Sequence, residues 1–316
     1  MKKASTWHRA ILVLPMLVIG SVSTAAADPG LLLVAHGSPR PEWNEPVLDL
    51  GRRVAEEALK GGRFKVVRTA MLEAAQPNIP TAVAELEAAG CDRIVAVPLF
   101  IAPSGHSLYD VPAALGILSS PEMNASLAAE GLKAARPKVP VVLTQTLDEG
   151  HLLPDYACQQ VRSLSRSPTD EAVVVLVHGD SEHQPHIDRL LRRVATRCCG
   201  ETGIRDGDWA YVGVGQEYTT NGVAAIRAAA GRKPRVLVVG LYLSSTAKSF
   251  HERALQTWRQ QQPGYDPFHG KDVVFSEAAL VDQLGLVQWI IEAAKAALPD
   301  APRNAGSPAR ATEHTP

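Results

Sequence analysis

One pattern occurs twice in this chain: a short apolar run that ends in a His-Gly pair. LLLVAHGS (31–38) and VVVLVHGD (173–180) carry this pattern, 142 residues apart. RIVAVPLFIA (93–102) and RVLVVGLYLS (235–244) form a second matching pair at the same offset. Apolar runs of this length are typical of strands that are buried on both faces. The repeat predicts two homologous domains, each with a strand directly before its His-Gly pair.

The first domain alternates predicted strands with segments whose apolar residues recur at helical spacing. Its strands are predicted at 31–35, 66–72, 93–100 and 141–144. A helix is predicted to begin at Asn44, a residue type that favours the N-cap position. Such alternation indicates an α/β fold with parallel sheets and right-handed crossovers. We expect domains at 29–165 and 170–298, each a small parallel sheet flanked by helices, with a cleft between them.

Both ends of the chain have the composition of segments that lie outside folded domains. Positive residues at the start, an apolar run at 11–20 and small residues at 25–27 are typical of a signal peptide over 1–27. The Pro/Ala-rich stretch at 299–316 is typical of a disordered tail. These patterns predict export, with the periplasm as the expected location. After cleavage we expect no stable membrane insertion.

Charge and cysteine content argue against two kinds of site. The 32 basic and 33 acidic side chains nearly balance, whereas a nucleic-acid binder needs a basic surface. Four cysteines without a CxxC pair do not indicate a structural zinc site. After export, Cys158 could pair with Cys198 or with Cys199, and the sequence leaves that choice open. We therefore expect a protein that acts on a small molecule, without a nucleic-acid partner.

Three side chains with metal or proton chemistry follow the predicted strands of the first domain. His36 follows the first strand, Glu73 follows the second, and His106 lies in the loop after the third. Ligands of parallel sheets bind beyond the carboxyl ends of the strands, so these side chains are expected in one crevice. Two imidazoles suit cobalt, nickel, ferrous iron or zinc and leave coordination positions open. That pattern fits a metal that is passed on, with Glu73 as a proton acceptor or a third ligand.

The motifs LLLVAHGS, LEAAQPNIPTAV and VPLFIAPSGHSLYDVP resemble the class II tetrapyrrole chelatases, and most closely the sirohydrochlorin chelatases of the CbiX type. The resemblance is strong over 31–113 and continues weakly through the repeat. It implies insertion of Co²⁺, or else Fe²⁺ or Ni²⁺, into sirohydrochlorin or a related tetrapyrrole, without an organic cofactor. By the same resemblance His36 and His106 would hold the metal, and Glu73 would help to take the pyrrole protons. Asp110 matches a recurrent acidic position of the family.

The second domain is expected to lack a complete site. At the repeat offset His106 falls on Lys248, and His251 lies close by but out of register. We therefore assign the chemistry to the first domain and expect substitution of His178 or Lys248 to have little effect. The His-rich stretch at 178–186 allows a secondary metal site, but the pattern favours a hydrophilic loop that leads into a helix.

Two other functions are open at this stage. Export would separate the chain from a cytoplasmic tetrapyrrole pathway, which leaves a carrier of metal, haem or another tetrapyrrole as the alternative. GHSLY (105–109) also approaches the G-x-S-x-G turn of α/β hydrolases, with Ser107 as the nucleophile. Tyr109 replaces the final glycine of that turn and Pro103 separates it from its strand, so the pattern disfavours a hydrolase.

Overall fold

The computed structural model describes residues 28–178, 181–213 and 217–299. The first half of the chain forms β1 (Pro29–Ala35), α1 (Pro41–Lys60), β2 (Val66–Met71), α2 (Ile79–Ala88), β3 (Arg93–Pro98), α3 (Val111–Ala114), α4 (Pro121–Ala129), β4 (Val141–Leu143) and α5 (Leu152–Leu164). The second half forms β5 (Glu171–Val177), α6 (Gln184–Thr202), β6 (Asp206–Tyr211), α7 (Val223–Arg232), β7 (Arg235–Leu241), α8 (Ala247–Ala254), α9 (Gln256–Gln261), β8 (Asp272–Phe275) and α10 (Leu284–Ala296). None of the helices in these ranges has both the length and the apolar character needed to span a bilayer. The expected signal peptide, and the expected tail except its first residue, lie outside the described residues.

Each half contains one four-stranded parallel sheet. The strand order is β2-β1-β3-β4 in the first sheet and β6-β5-β7-β8 in the second. Strands β5 and β7 begin at Glu171 and Arg235, each 142 residues after the first residue of β1 or β3. The α/β fold class with two repeated, helix-flanked parallel sheets is therefore confirmed.

The central strand of each sheet is buried on both faces. In β1, Leu31 and Leu33 face a core that the two halves share, whereas Leu32 and Val34 face a second core that contains α2. Successive side chains of a strand point to opposite faces, so a strand covered on both sides needs apolar residues at every position. This requirement explains why uninterrupted apolar runs mark β1 and β5 in the sequence.

The last helix of each half packs against the other half. Helix α5 lies against α6 and β7, and α10 lies against α1 and β3. The Tyr156 hydroxyl donates to the Ala278 carbonyl at 2.8 Å, and Arg53 donates to the Val281 carbonyl at 2.5 Å. Because each of these helices packs against the opposite half, the two sheets share one core and their relative positions are fixed. The boundary at 165–170 marks the sequence repeat and stays a prediction, because the packing crosses it.

Helix α1 begins three residues before its predicted start. Arg40 precedes the helix without a side-chain cap, and Pro41 takes the first helical position, where the missing N–H has no helical partner. Asn44 lies within the helix, and its Nδ2 donates to the Ser38 carbonyl at 2.7 Å. The predicted N-cap is therefore wrong. Asn44 instead ties the helix to the loop that follows His36.

Cys158 of α5 and Cys198 of α6 are neighbours in the shared core. Their Sγ atoms lie 3.1 Å apart, and both residues are buried free thiols. Of the two pairings that the sequence left open for Cys158, this contact selects Cys198 over Cys199.

Candidate functional site

A glycine brings His36 and Glu73 together at the carboxyl ends of β1 and β2. Gly37 has φ of +90°, a value that residues with a side chain rarely adopt. A Cβ atom on Gly37 would lie 2.1 Å from the Glu73 carbonyl oxygen. The Glu73 amide donates to the His36 carbonyl at 2.9 Å, which extends the pairing of the two strands. Because only glycine permits this approach, the His-Gly pair of the sequence motif sets an imidazole beside a carboxylate.

His106 begins a π-helical turn, His106–Asp110, that follows the loop after β3. The Ser104 amide donates to the Ser107 hydroxyl at 2.8 Å, and that hydroxyl donates to the Ser104 carbonyl at 3.2 Å. These bonds fix the start of the turn. At its end the Asp110 carboxylate lies 2.8 Å from Nδ1 of His106. Asp110 therefore orients the imidazole, a role that the sequence motif did not specify.

The structure brings the three predicted site residues to one place. The rings of His36 and His106 are 4.7 Å apart between centroids and meet edge to face. Nε2 of His36 lies 3.4 Å from Oε1 of Glu73. The side chains of His36, Glu73 and His106 are 37%, 32% and 39% exposed, so a ligand from solvent can reach all three. Their assignment as metal ligands and base stays a prediction.

The hydrogen bonds of the two imidazoles define which nitrogen is free. Nδ1 of His36 lies 2.9 Å from the Gly37 carbonyl, which can only accept, so this nitrogen carries the proton. Nδ1 of His106 donates in the same way to Asp110. In the neutral rings Nε2 then carries a lone pair. Histidines held by an oxygen at one nitrogen and open at the other are typical metal ligands.

The side chains of His36 and Glu73 bring two acceptor atoms close together. Nε2 of a neutral His36 and an ionised Glu73 carboxylate are both acceptors, yet they lie 3.4 Å apart. Either a proton or a metal cation relieves the repulsion between two such lone pairs. Metal binding and proton binding therefore compete at this pair.

Within residues 28–178, 181–213 and 217–299, no three His, Cys, Asp or Glu side chains are arranged as a preformed metal centre. The two imidazoles thus supply a partial ligand set, and other ligands must complete the coordination of any ion they bind. A structural zinc site, by contrast, is closed by its protein ligands. An open set suits an ion that arrives and leaves.

A cleft of about 470 Å³ runs from the site to the second half of the chain. This volume lies in the range of small-molecule sites. Aromatic and aliphatic side chains from both halves line it: Trp43, Phe100, Ile101, Tyr242, Leu243 and Phe250. Because His36, Glu73 and His106 line the same cleft, a flat apolar ligand bound there would face both imidazoles.

His178, at the end of β5, also lines this cleft. This position of His178 was not predicted from the sequence. Its Nδ1 donates to the Val212 carbonyl at 3.1 Å. Desolvation lowers the pKa of His178, the bond to Val212 partly opposes this, and charge on His36 or His106 lowers it further. The ring is therefore neutral at pH 7. Its position as the repeat partner of His36 was the sequence signal that could have found it.

Other residues considered from the sequence lie outside the cleft. Lys248 pairs with Glu277 at 2.8 Å on the surface. His251 is buried, and its ring packs against the rings of Phe268 and Phe275. Nε2 of His186 lies 2.9 Å from the Asp148 carboxylate, so this part of the His-rich stretch has a structural partner.

Ser107 is not placed as a nucleophile. It is 5% exposed, and its hydroxyl bonds within the turn to Ser104. A nucleophilic serine must be open to its substrate and in contact with a base. Ser107 therefore cannot act as the nucleophile of a hydrolase, and the structure argues against that alternative.

Comparison with known proteins identifies the half of the chain that carries these residues. Residues 30–164 match the profile of the CbiX family. They form a CbiX domain. The matched range includes His36, Glu73 and His106, and the resemblance to CbiX-type chelatases predicted from the sequence is confirmed.

Curated relatives match part of the CbiX domain. The sirohydrochlorin cobaltochelatase of Saccharolobus solfataricus is 42% identical over 88 residues, which are 28% of this chain and 64% of that protein. The sirohydrochlorin cobaltochelatase of Methanocaldococcus jannaschii is 36% identical over 88 residues, which are 28% of this chain and 59% of that protein. This chain therefore spans less than two thirds of the length of these relatives.

A solved structure matches both halves of the chain. SirB from Bacillus subtilis, determined with Fe³⁺, superposes with a TM-score of 0.58 at 14% sequence identity. The superposition covers 85% of this chain and 94% of SirB. The two-sheet arrangement beyond the CbiX domain is therefore also the fold of SirB.

Proposed function

We propose that this chain inserts a divalent metal ion into a tetrapyrrole, with sirohydrochlorin as the substrate and Co²⁺ as the metal. The observation that carries the proposal is the grouping of two imidazoles and one carboxylate on the wall of an apolar cleft. The names of the relatives of the CbiX domain support the choice of substrate. Fe²⁺ and Ni²⁺ are the alternatives, because imidazole binds all three ions and their availability decides among them.

His36 and His106 are the proposed ligands of the incoming ion. Each has Nδ1 fixed by an oxygen, and the rings are 4.7 Å apart, so two Nε2 lone pairs can serve one ion. Because both histidines line the cleft, the ion would be open to a ligand bound there. The ion can therefore begin to bind the pyrrole nitrogens before it leaves the protein.

Glu73 is the proposed proton acceptor. Metal insertion releases the N–H protons of the macrocycle, and a base held at the site speeds their removal. When the ion leaves His36 for the macrocycle, one of the two displaced pyrrole protons can pass to the His36–Glu73 pair, and the other passes to solvent. Departure of the metal and removal of the proton are thereby coupled.

An exported, periplasmic location is part of the proposal, supported by the positive and apolar pattern of residues 1–27. A carrier of metal or tetrapyrrole is the second candidate, because export favours transport over biosynthesis. The two functions differ in affinity for the product. An enzyme must release the metallated macrocycle, whereas a carrier holds it through purification.

Anaerobic incubation of the chain with excess sirohydrochlorin and Co²⁺, Fe²⁺ or Ni²⁺, followed by absorption spectra, tests the proposal. We expect many turnovers and a rate well above that of metal and substrate alone. The double variant His36→Ala/His106→Ala is the control, because it keeps the cleft but removes both metal ligands. A wild-type rate no faster than the reaction without protein, for all three ions, would exclude the enzyme. Protein that is purified with stoichiometric bound tetrapyrrole and shows no turnover would establish the carrier.

A further inference from the structure

Two arginines, one from each half of the chain, line the cleft. Arg40 directly precedes α1 and is exposed, whereas Arg253 lies in α8 and is half-buried. The Ser244 hydroxyl donates to the Trp43 carbonyl at 2.6 Å, which joins the loop before α8 to the first turn of α1. This bond holds together the two segments that carry the arginines.

Neither guanidinium has a carboxylate partner in the described ranges of the chain. Arg253 donates to the Ser245 hydroxyl at 2.9 Å. Burial, and then the charge of Arg40, lower the pKa of Arg253, while Glu42 acts in the opposite direction without forming an ion pair. The other carboxylates of the cleft, Glu73 and Asp110, each face a histidine. An anion bound between two like charges that line one cleft stabilises both.

We propose that Arg40 and Arg253 bind carboxylate groups on the rim of the tetrapyrrole and thereby orient the macrocycle in the cleft. This inference rests on the proposed function. A guanidinium matches a carboxylate through two parallel hydrogen bonds. Sirohydrochlorin combines an apolar ring with acetate and propionate groups at its edge, which fits apolar walls next to a pair of cations.

The pair also gives the second half of the chain a role. His36, Glu73 and His106 of the first half act on the metal and the protons, while Arg253 of the second half helps to place the ring. Selection among tetrapyrroles then depends on the number and position of their carboxylates. It is separate from the choice of metal.

Equilibrium binding of metal-free porphyrins to the full chain, followed by quenching of porphyrin fluorescence, tests this inference without metal insertion. Uroporphyrin carries carboxylates on every ring, whereas deuteroporphyrin keeps only propionates at one edge. We expect Arg40→Gln and Arg253→Gln each to weaken uroporphyrin binding about tenfold, the size of one charged hydrogen-bonded contact. Deuteroporphyrin binding should change less. Arg253→Lys should restore part of the loss, because it keeps the charge without the planar fork.

Arg52→Gln is the matched control, because Arg52 lies exposed on α1 and pairs with Asp49 at 3.1 Å outside the cleft. Calorimetric Co²⁺ binding should be equal in all variants. If wild-type protein binds uroporphyrin and the glutamine variants keep that affinity, the inference is overturned and the proposed function stands. Loss of Co²⁺ binding in those variants would also overturn it, by marking the arginines as structural. Wild-type protein that binds Co²⁺ but no porphyrin would overturn the inference together with the tetrapyrrole substrate.

Discussion

The strands β1–β3 and β5–β7 have the same order and register but different side chains at their carboxyl ends. Strands β1 and β5 end in His36 and His178, which line one cleft. Strand β2 is followed by Glu73, whereas the register of β6 places Gly213 at the equivalent position. A Cβ atom on Gly213 would lie 1.7 Å from Oε2 of Glu217, so a carboxylate from the next turn lies there instead.

The third strand end shows the larger difference. His106 of the first half is held in the cleft by Asp110, while its repeat partner Lys248 pairs with Glu277 on the surface. At these strand ends the first half therefore has two imidazoles side by side, whereas the second half has only that of His178 among its described residues. The repeated sheet therefore provides the positions, and a few strand-end residues decide which half brings two imidazoles together.

The largest effect is expected from the two proposed metal ligands of the first half, His36 and His106. His36→Ala and His106→Ala should each weaken Co²⁺ binding about 100-fold or more, because one ligand of two is lost. Equilibrium dialysis of Co²⁺ measures this. His269→Ala, an exposed histidine of the second half, is the control and should bind as wild type. Full Co²⁺ affinity in either single variant would place the metal elsewhere.

The next effect concerns Glu73, whose equivalent position in the second half is Gly213. Glu73→Gln should keep Co²⁺ affinity, since an oxygen remains beside His36, but slow metal insertion about 100-fold through loss of the base. Initial rates at saturating Co²⁺, together with dialysis, separate the two properties. A rate equal to that of wild type would assign proton removal to solvent or to another group.

A smaller effect is expected on the pH dependence of stability, from His251, which is buried outside the cleft. Burial lowers the pKa of His251 to about 4, from an unfolded value of 6.5, so the folded protein keeps this ring neutral. Its stability contribution is complete above pH 6.5 and is lost as the pH falls towards 4, because the unfolded chain then binds the extra proton. We expect a loss of about 2 kcal/mol at pH 5 from this group.

Urea unfolding at pH 7.5 and pH 5 measures that loss. His251→Phe should reduce the difference between the two pH values, since the benzyl ring does not titrate. His269→Phe, at an exposed histidine, should leave the difference unchanged. An equal pH dependence in wild type and His251→Phe would show that other groups control acid stability.

The smallest effect tests whether the second half contributes to the site at all. The sequence led us to expect little change from His178→Ala, but the neutral ring of His178 faces the cleft within electrostatic reach of His36 and His106. We now expect its loss to reduce kcat/KM about tenfold, as removal of a supporting polar group at a metal site does. Lys248→Ala, at a surface residue of the second half outside the cleft, should match wild type. Equal rates for both variants would restrict the chemistry to the first half.

Local patterns were sufficient to predict the strands and the order of the site residues. Strands buried on both faces require unbroken apolar runs, so β1 and β5 were readable from LLLVA and VVVLV. The carboxyl ends of parallel strands share one edge, so His36 and Glu73 were expected to be neighbours. The start of α1 was predicted wrongly because Asn44 has an N-cap side chain but uses it to bond the Ser38 carbonyl.

The sequence by itself determined the repeat, the parallel sheets and the His-Gly turn, because each depends on residues adjacent in the chain or on periodic burial. Only the tertiary structure decided that α5 and α10 each pack against the opposite half of the chain. It also decided that His178 lines the same cleft as His36, and that Arg40 and Arg253 line that cleft together. Residues so far apart in sequence meet through packing of the shared core. No local pattern encodes that packing, because it depends on the fit of many apolar side chains at once.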